Sequence, residues 1–199
     1  MKTVIIDLET SGLVPKGATY ELDFLKFPRI LSIAWKLNNE ETKEFLINQE
    51  GFKIPAEATK INGITQEMCD ASPYKLADVL SVLILDGVST DLIIGFNLYF
   101  DTSIIKASIL RLIQEGIADQ ITYDAFTDFL HKDKRIDLMR ICHKLYGGKW
   151  PTMSEAYFKL FGEKFNAHSA GSDVDACHRI YVELEKRGLI PVKVMGVEL

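Results

Sequence analysis

Two rhythms of apolar and polar residues run along the chain. Thr3 to Asp7 is a short β-branched run, which predicts a buried strand. Arg29 to Leu37 alternates. Ile30, Ser32, Ala34 and Lys36 share one face, and Leu31, Ile33, Trp35 and Leu37 share an apolar one. Lys43 to Ile47 predicts a third strand, paired with the second across Asn38-Asn39-Glu40-Glu41. Helical spacing follows. A short helix opens at Pro55-Ala56-Glu57, and Pro73 to Leu85 sets Leu76, Val79, Leu80 and Leu83 on one stripe. Leu92 to Phe96 predicts a fourth strand and Asp101 to Gln114 a helix. Three helices complete the pattern: Asp137 to Leu145 before Gly147-Gly148, Thr152 to Phe161 before Gly162, and Asp173 to Lys186 before Gly188. Three strands, helices, one strand and more helices predict an α/β layered fold with a mixed sheet, its strand order left open.

Composition narrows the class. A chain of 199 residues buries roughly 70% of its unfolded surface. That suits one sizeable core, and no linker or repeat divides the chain, so residues 1–199 are expected to form a single domain. With 47% hydrophobic and 26% charged residues, disorder is excluded. Leu92 to Phe96 is the longest apolar run, far below a membrane span, so no membrane association is expected. The early Asp7 argues against a signal peptide. Cys69, Cys142 and Cys177 are scattered, which predicts buried, reduced thiols of a cytoplasmic protein.

Three acidic signals carry the chemistry. Asp7 and Glu9, two apart at the end of a strand, point to one face. Two carboxylates beside an apolar core repel, and a divalent cation would resolve the conflict. Asp101 stands where a strand hands over to a helix, after Gly95-Phe96-Asn97, and helix capping is its bland alternative. His168 precedes Asp173 by five residues. On one continuous helix they would diverge by about 140°. To act together, His168 must lie in a loop and Asp173 on a helix, and Ser169, Gly171 and Ser172 disfavour an earlier helix start. The net charge is −5, which two bound divalent cations would bring near neutral, so a polyanionic substrate is not excluded.

Taken together, DLETSGL (Asp7 to Leu13), GFNLYFD (Gly95 to Asp101) and HSAGSDVDA (His168 to Ala176) resemble the His-type branch of the DEDD exonuclease superfamily, typified by the proofreading epsilon subunit of bacterial DNA polymerase III. FPRILSIAW, IPAEATKINGIT and IDLMRICHKLYGG agree more weakly, and the likeness extends from Lys2 to about Gly188. The resemblance implies an α/β, ribonuclease H-like fold whose mixed five-stranded sheet is flanked by helices. Its fifth strand would lie just before Asp137, where the residue pattern shows none.

The resemblance also implies roles. Asp7, Glu9, Asp101 and Asp173 would hold two Mg2+ or Mn2+ ions, and His168 would be the general base. Leu8, Thr10, Ser11, Ile61, Asn62, Asn97 and Phe100 would receive the 3′-terminal nucleotide. Asn62 stands where the family often has histidine, which bears on terminal-nucleotide preference. The implied activity is 3′–5′ hydrolysis of single-stranded DNA, in proofreading or repair. The alternatives are a 3′–5′ exoribonuclease, so an RNA partner, and a catalytically inactive binding module. A polymerase is a possible partner, and no tethering tail is expected after the last helix. Asp175 is expected to be supporting or solvated, and Trp150 a core anchor. Six basic residues within 131–150 could contact phosphates. Residues 116–135 are a lid, an interface or a loop with a helix.

Overall fold

A computed structural model describes residues 1–191. The elements run β1 (Thr3–Thr10), α1 (Tyr20–Asp23), β2 (Ile30–Leu37), β3 (Lys43–Leu46), α2 (Ala56–Asn62), α3 (Gln66–Asp70) and α4 (Leu76–Gly87). They continue with β4 (Leu92–Gly95), α5 (Leu98–Gln114), α6 (Gln120–Phe129), β5 (Arg135–Asp137), α7 (Leu138–Tyr146), α8 (Met153–Phe161) and α9 (Ala170–Lys186).

The five strands form one sheet in the order β3-β2-β1-β4-β5. β1 pairs antiparallel with β2, and β2 with β3. β4 lies parallel to β1 on its other side, and β5 parallel to β4. This is the expected mixed five-stranded, ribonuclease H-like sheet with helices on both faces. The fifth strand, three residues long, ends at Asp137.

Alternation along β1 splits two cores. Val4, Ile6 and Leu8 join Ile33, Trp35 and Ile93 in the core that contains Ile104, Ile105 and Leu112 of α5 and Phe126 of α6. Ile5 joins Ala34, Ile94 and Ile136 in the core that contains Val174, Cys177 and Ile180 of α9. Each fully enclosed aliphatic side chain contributes about 1.5–3 kcal/mol relative to exposure. Period two then fixes the chemistry: Asp7 and Glu9 follow Ile5 onto the α9 face.

Several boundaries differ from expectation. β2 is buried on both faces, with Ile30, Ser32 and Ala34 as enclosed as Ile33 and Trp35, because helices cover both sides of a central strand. α5 begins at Leu98, so Asp101 lies inside its first turns and does not cap it; Asn97 is the N-cap. α9 begins at Ala170, three residues before Asp173. Gly171 and Ser172 are therefore helical, and tertiary packing overrides their weak propensity. Within 116–135, α6 buries Phe126 and Phe129, so this segment contributes a core helix. The residues beyond the last helix for which no tail was expected include 192–199, outside the described residues.

Candidate active site

β1, α5 and α9 bring the four predicted carboxylates to one end of the sheet. Asp7 and Glu9 project from β1 towards α9, and Asp173 projects from the first turn of α9. One oxygen from each of Asp7, Glu9 and Asp173 lies within 4.8 Å of the others. Asp101 falls outside that trio. It is buried in the first turns of α5, where the Leu8 backbone N–H donates to its carboxylate. Gly95 lets this junction close: a Cβ there would press on the Leu98 side chain and the Ile6 carbonyl.

Electrostatics mark the cluster as strained without a counter-ion. Burial pushes the Asp7 carboxyl well above the usual range, and Asp101, Asp173, Glu9 and Glu44 add repulsion. Burial, then the charge of Asp173, raises Glu9 to about 7, against a hydrogen bond from Asn62. Burial raises Asp173 to about 6, opposed by the His168 backbone N–H and the His168 ring. Asp101 is raised by burial and by Asp137. One oxygen of Asp173 accepts the His168 N–H at 3.2 Å, while Oδ1 is buried with no partner among the described residues. Oxygens gathered, desolvated and one of them orphaned fit a hard divalent cation. The donor set therefore suits the expected magnesium or manganese.

His168 lies in the loop before α9, with φ +75°. A left-handed histidine costs about 1–3 kcal/mol and is held by its surroundings. Here the bond to Asp173 holds it, and its side chain stays exposed.

The expected nucleotide contacts divide. The Ser11 N–H donates to the Arg29 carbonyl at 2.9 Å, and the Arg29 N–H returns to Ser11 Oγ at 2.8 Å, which pins the turn after β1. Asn62 Nδ2 donates to the Thr10 carbonyl at 3.3 Å, tying α2 to that turn. Ile61 is 65% exposed, an unusual state for isoleucine beside these polar groups. Asn97 is exposed with φ +66°, and its N–H donates to Asp137 Oδ1 at 3.0 Å. Phe100 is half-buried. Leu8 departs from the set: its side chain is core, leaving its backbone to serve Asp101.

Glu44 was missed in sequence reasoning. Strand register sets Glu44, Ala34 and Asp7 in one row across the sheet. Ser169 Oγ donates to Glu44 at 3.3 Å, and a Cβ on Gly171 would fall on its carboxylate. Only pairing register reveals this neighbour. Asp137 was expected only to start a helix, and it also receives the Asn97 N–H.

Asp175 points away, bonded to Lys36 Nζ at 2.9 Å and Thr42 Oγ1 at 2.7 Å, in keeping with a supporting or solvated role. Trp150 is a correction. It is 54% exposed and stacks on His143, with ring centroids 4.1 Å apart, because Pro151 rather than the indole is enclosed. The cysteines are free and buried as expected. No described helix is long and apolar enough to cross a membrane.

Comparison with known proteins gives a consistent picture. The RNase_T family model, described as Exonuclease, matches residues 4–181. No curated protein sequence matches. Among solved structures, Escherichia coli exonuclease I bound to a dT13 oligonucleotide is 21% identical with a TM-score of 0.67, over 94% of this chain and 41% of that one. Its zinc-bound complex with single-stranded DNA is 20% identical with a TM-score of 0.69, over 94% and 40%. Exonuclease I from Methylocaldum szegediense is 18% identical with a TM-score of 0.67, over 94% and 40%. The chain thus spans about two fifths of these proteins, and the likeness establishes the shared fold.

Proposed function

The chain belongs to the RNase_T exonuclease family, and from that membership we propose that it is a metal-dependent 3′–5′ exonuclease releasing nucleoside monophosphates from single-stranded DNA. The observation that carries this reading is the convergence of Asp7, Glu9 and Asp173 within 4.8 Å, with the buried Asp173 Oδ1 left unpaired.

Asp7, Glu9, Asp101 and Asp173 would hold two Mg2+ or Mn2+ ions. Bound there, such ions supply a lowered pKa for the attacking water and a counter-charge for the leaving 3′ oxygen. The protein's own groups do the rest. His168 takes the water proton on a ring nitrogen, the role of a general base. Its fixed backbone bond to Asp173 keeps the base beside the ligand cluster. The pinned turn at Thr10 and Ser11 offers backbone groups to the terminal sugar. Ile61 and Phe100 present apolar surface to the base without reading its identity, and Asn62 and Asn97 orient the end through amide groups. An enzyme that removes every base needs such sequence-blind contacts. Exonuclease I, which shares the fold, has been crystallised with dT13 and dA16, in keeping with a single-stranded DNA substrate here. The three reduced thiols fit a cytoplasmic proofreading or repair enzyme.

The test is degradation of 5′-labelled DNA and RNA oligonucleotides with magnesium, manganese or chelator. The reading expects stepwise shortening from the 3′ end, metal-dependent and faster on DNA. Faster shortening of RNA would move the substrate to the ribonuclease alternative. Binding without cleavage in either metal would leave only the inactive binding module.

A further inference from the structure

Away from the carboxylates, two further cations are drawn from water without an ion-pair partner among the described residues. Lys106, on α5, is only 9% exposed. Among the described residues no carboxylate lies within 4.0 Å of its ammonium, in contrast to the eight ion pairs found elsewhere. Its nitrogen instead stands 5.3 Å from the centre of the Tyr20 ring. A second cation, Arg135 of β5, is half-buried nearby and repels it. Arg135 donates to the Leu130 carbonyl from Nε and one terminal nitrogen, which leaves its other terminal nitrogen free for another acceptor. Glu21, the acidic group that acts on Lys106, also stands near the Tyr20 hydroxyl and makes no ion pair with Lys106. Two like charges drawn out of water together are unfavourable unless an anion completes them.

Position suggests which anion. Lys106 follows Tyr99 by seven residues, so both lie on one face of α5. Side chains on a helix lean towards its N-terminus, which carries the lysine stem back towards Tyr99. Tyr99 is 64% exposed and lies in the first turn of α5, the turn that also carries Asp101 on its buried side. Tyr99 and Tyr123 both stand near the Tyr20 hydroxyl, and Arg135 lies beside Tyr20 and Tyr99. Arg135 is itself two residues before Asp137, which receives the Asn97 N–H.

We propose that Lys106 and Arg135, ringed by Tyr20, Tyr99 and Tyr123, seat a backbone phosphodiester of the substrate strand on the 5′ side of the reacting nucleotide, with Tyr99 stacking on a base. This rests on the exonuclease reading above. Lysine meets the phosphate as a point charge and arginine through its remaining donor, while the tyrosines accept any base. The seat would hold the strand after each cleavage, a function the metal ligands cannot serve.

The experiment compares dT12 with a dinucleotide, whose only phosphodiester is the scissile one and cannot reach the seat. For Lys106→Met, the ratio of kcat/KM on dT12 to that on the dinucleotide should fall about tenfold. The slope of log Kd against log salt for dT12, measured in chelator, should shrink by about 0.7, one counter-ion for a single strand. Lys106→Arg should restore both. Tyr99→Ala, at an exposed position, should weaken dT12 binding severalfold without changing the salt slope. If Lys106→Met fails to fold, as thermal melting would show, Tyr99→Ala decides the matter. Equal losses on both substrates, or an unchanged dT12 Kd in folded Lys106→Met or Tyr99→Ala, overturn the seat while wild-type cleavage keeps the exonuclease reading. A wild type that shortens neither substrate overturns both.

Discussion

Asp137 and Asp173 look alike in sequence, each an acid at the expected start of a helix, yet their surroundings make them opposites. Asp137 is a true N-cap. Its Oδ1 accepts the Met139 N–H at 3.1 Å and the Asn97 N–H at 3.0 Å, and Arg140 stands 3.8 Å from Oδ2. Asp173 sits one turn inside its helix, with one oxygen committed to His168 and the other buried and unpaired. A carboxylate whose oxygens are engaged by backbone donors builds structure. One with a desolvated, unspent oxygen is held for something absent from the polypeptide. The difference fits Asp137 to the scaffold and fits Asp173 to the metal-holding role proposed for it.

Conservative exchange gives the hardest test of that contrast. Asp173→Asn keeps the shape and removes the charge. Cleavage of a labelled oligonucleotide should fall to background, the largest effect expected here. Asp137→Asn, which retains an acceptor for both N–H groups, should keep most of the activity. If the two variants lose activity equally, the contrast fails. Next in size is His168→Ala, expected to slow turnover by about 10²–10⁴, the usual reach of a general base. A normal rate in single-turnover kinetics would remove His168 from proton transfer.

Ionisation sharpens the contrast further. Asp173 titrates at about 6 in the fold against 3.8 unperturbed, and Glu9 at about 7 against 4.5. Between these limits the folded state holds more protons than the unfolded one, so stability falls as pH rises. The decline should start above about pH 4 and finish above about pH 7. A divalent cation binds the deprotonated forms and reverses the loss. At a metal concentration one hundred times its Kd, the gain is about 2.7 kcal/mol. Melting curves should therefore show a larger rise with manganese at pH 8 than at pH 5. An equal rise at both would separate metal binding from these carboxylates. Without metal at pH 8, Asp173→Asn should melt no lower than wild type, because it removes a charge the fold disfavours.

Much of this was readable from local pattern. Period two set Asp7 and Glu9 on one face, and β1 keeps them there. The glycine stops at Gly147 and Gly162 close α7 and α8 as expected, because a left-handed or otherwise positive φ follows from local chemistry. Features that depend on partners were not readable. Glu44 reaches the site only through the register of β3 on β2, and the start of α9 is fixed by packing of Gly171 against that same side chain. β5 is too short for any periodicity, and its identity comes from pairing with β4. Trp150 reads as a core anchor from its place before Pro151, but its ring lies over His143 at the surface.

The smallest expected effect tests the scaffold half of the comparison alone. Asp137→Ala deletes the cap of α7 and the anchor of the Asn97 turn together. Loss of an N-cap costs about 0.5–2 kcal/mol. Denaturant unfolding should show a loss in that range for Asp137→Ala and a smaller one for Asp137→Asn, which can still accept both N–H groups. Asn97 holds its left-handed φ next to α5, so release of its N–H should also loosen the turn that leads to Asp101. Hydrogen exchange at Asn97 and Leu98 would then quicken in Asp137→Ala while the core amides of β1 stay protected. If the exchange pattern is unchanged, Asp137 caps its own helix and does nothing for the neighbouring turn. Its link to the active site would then be proximity alone.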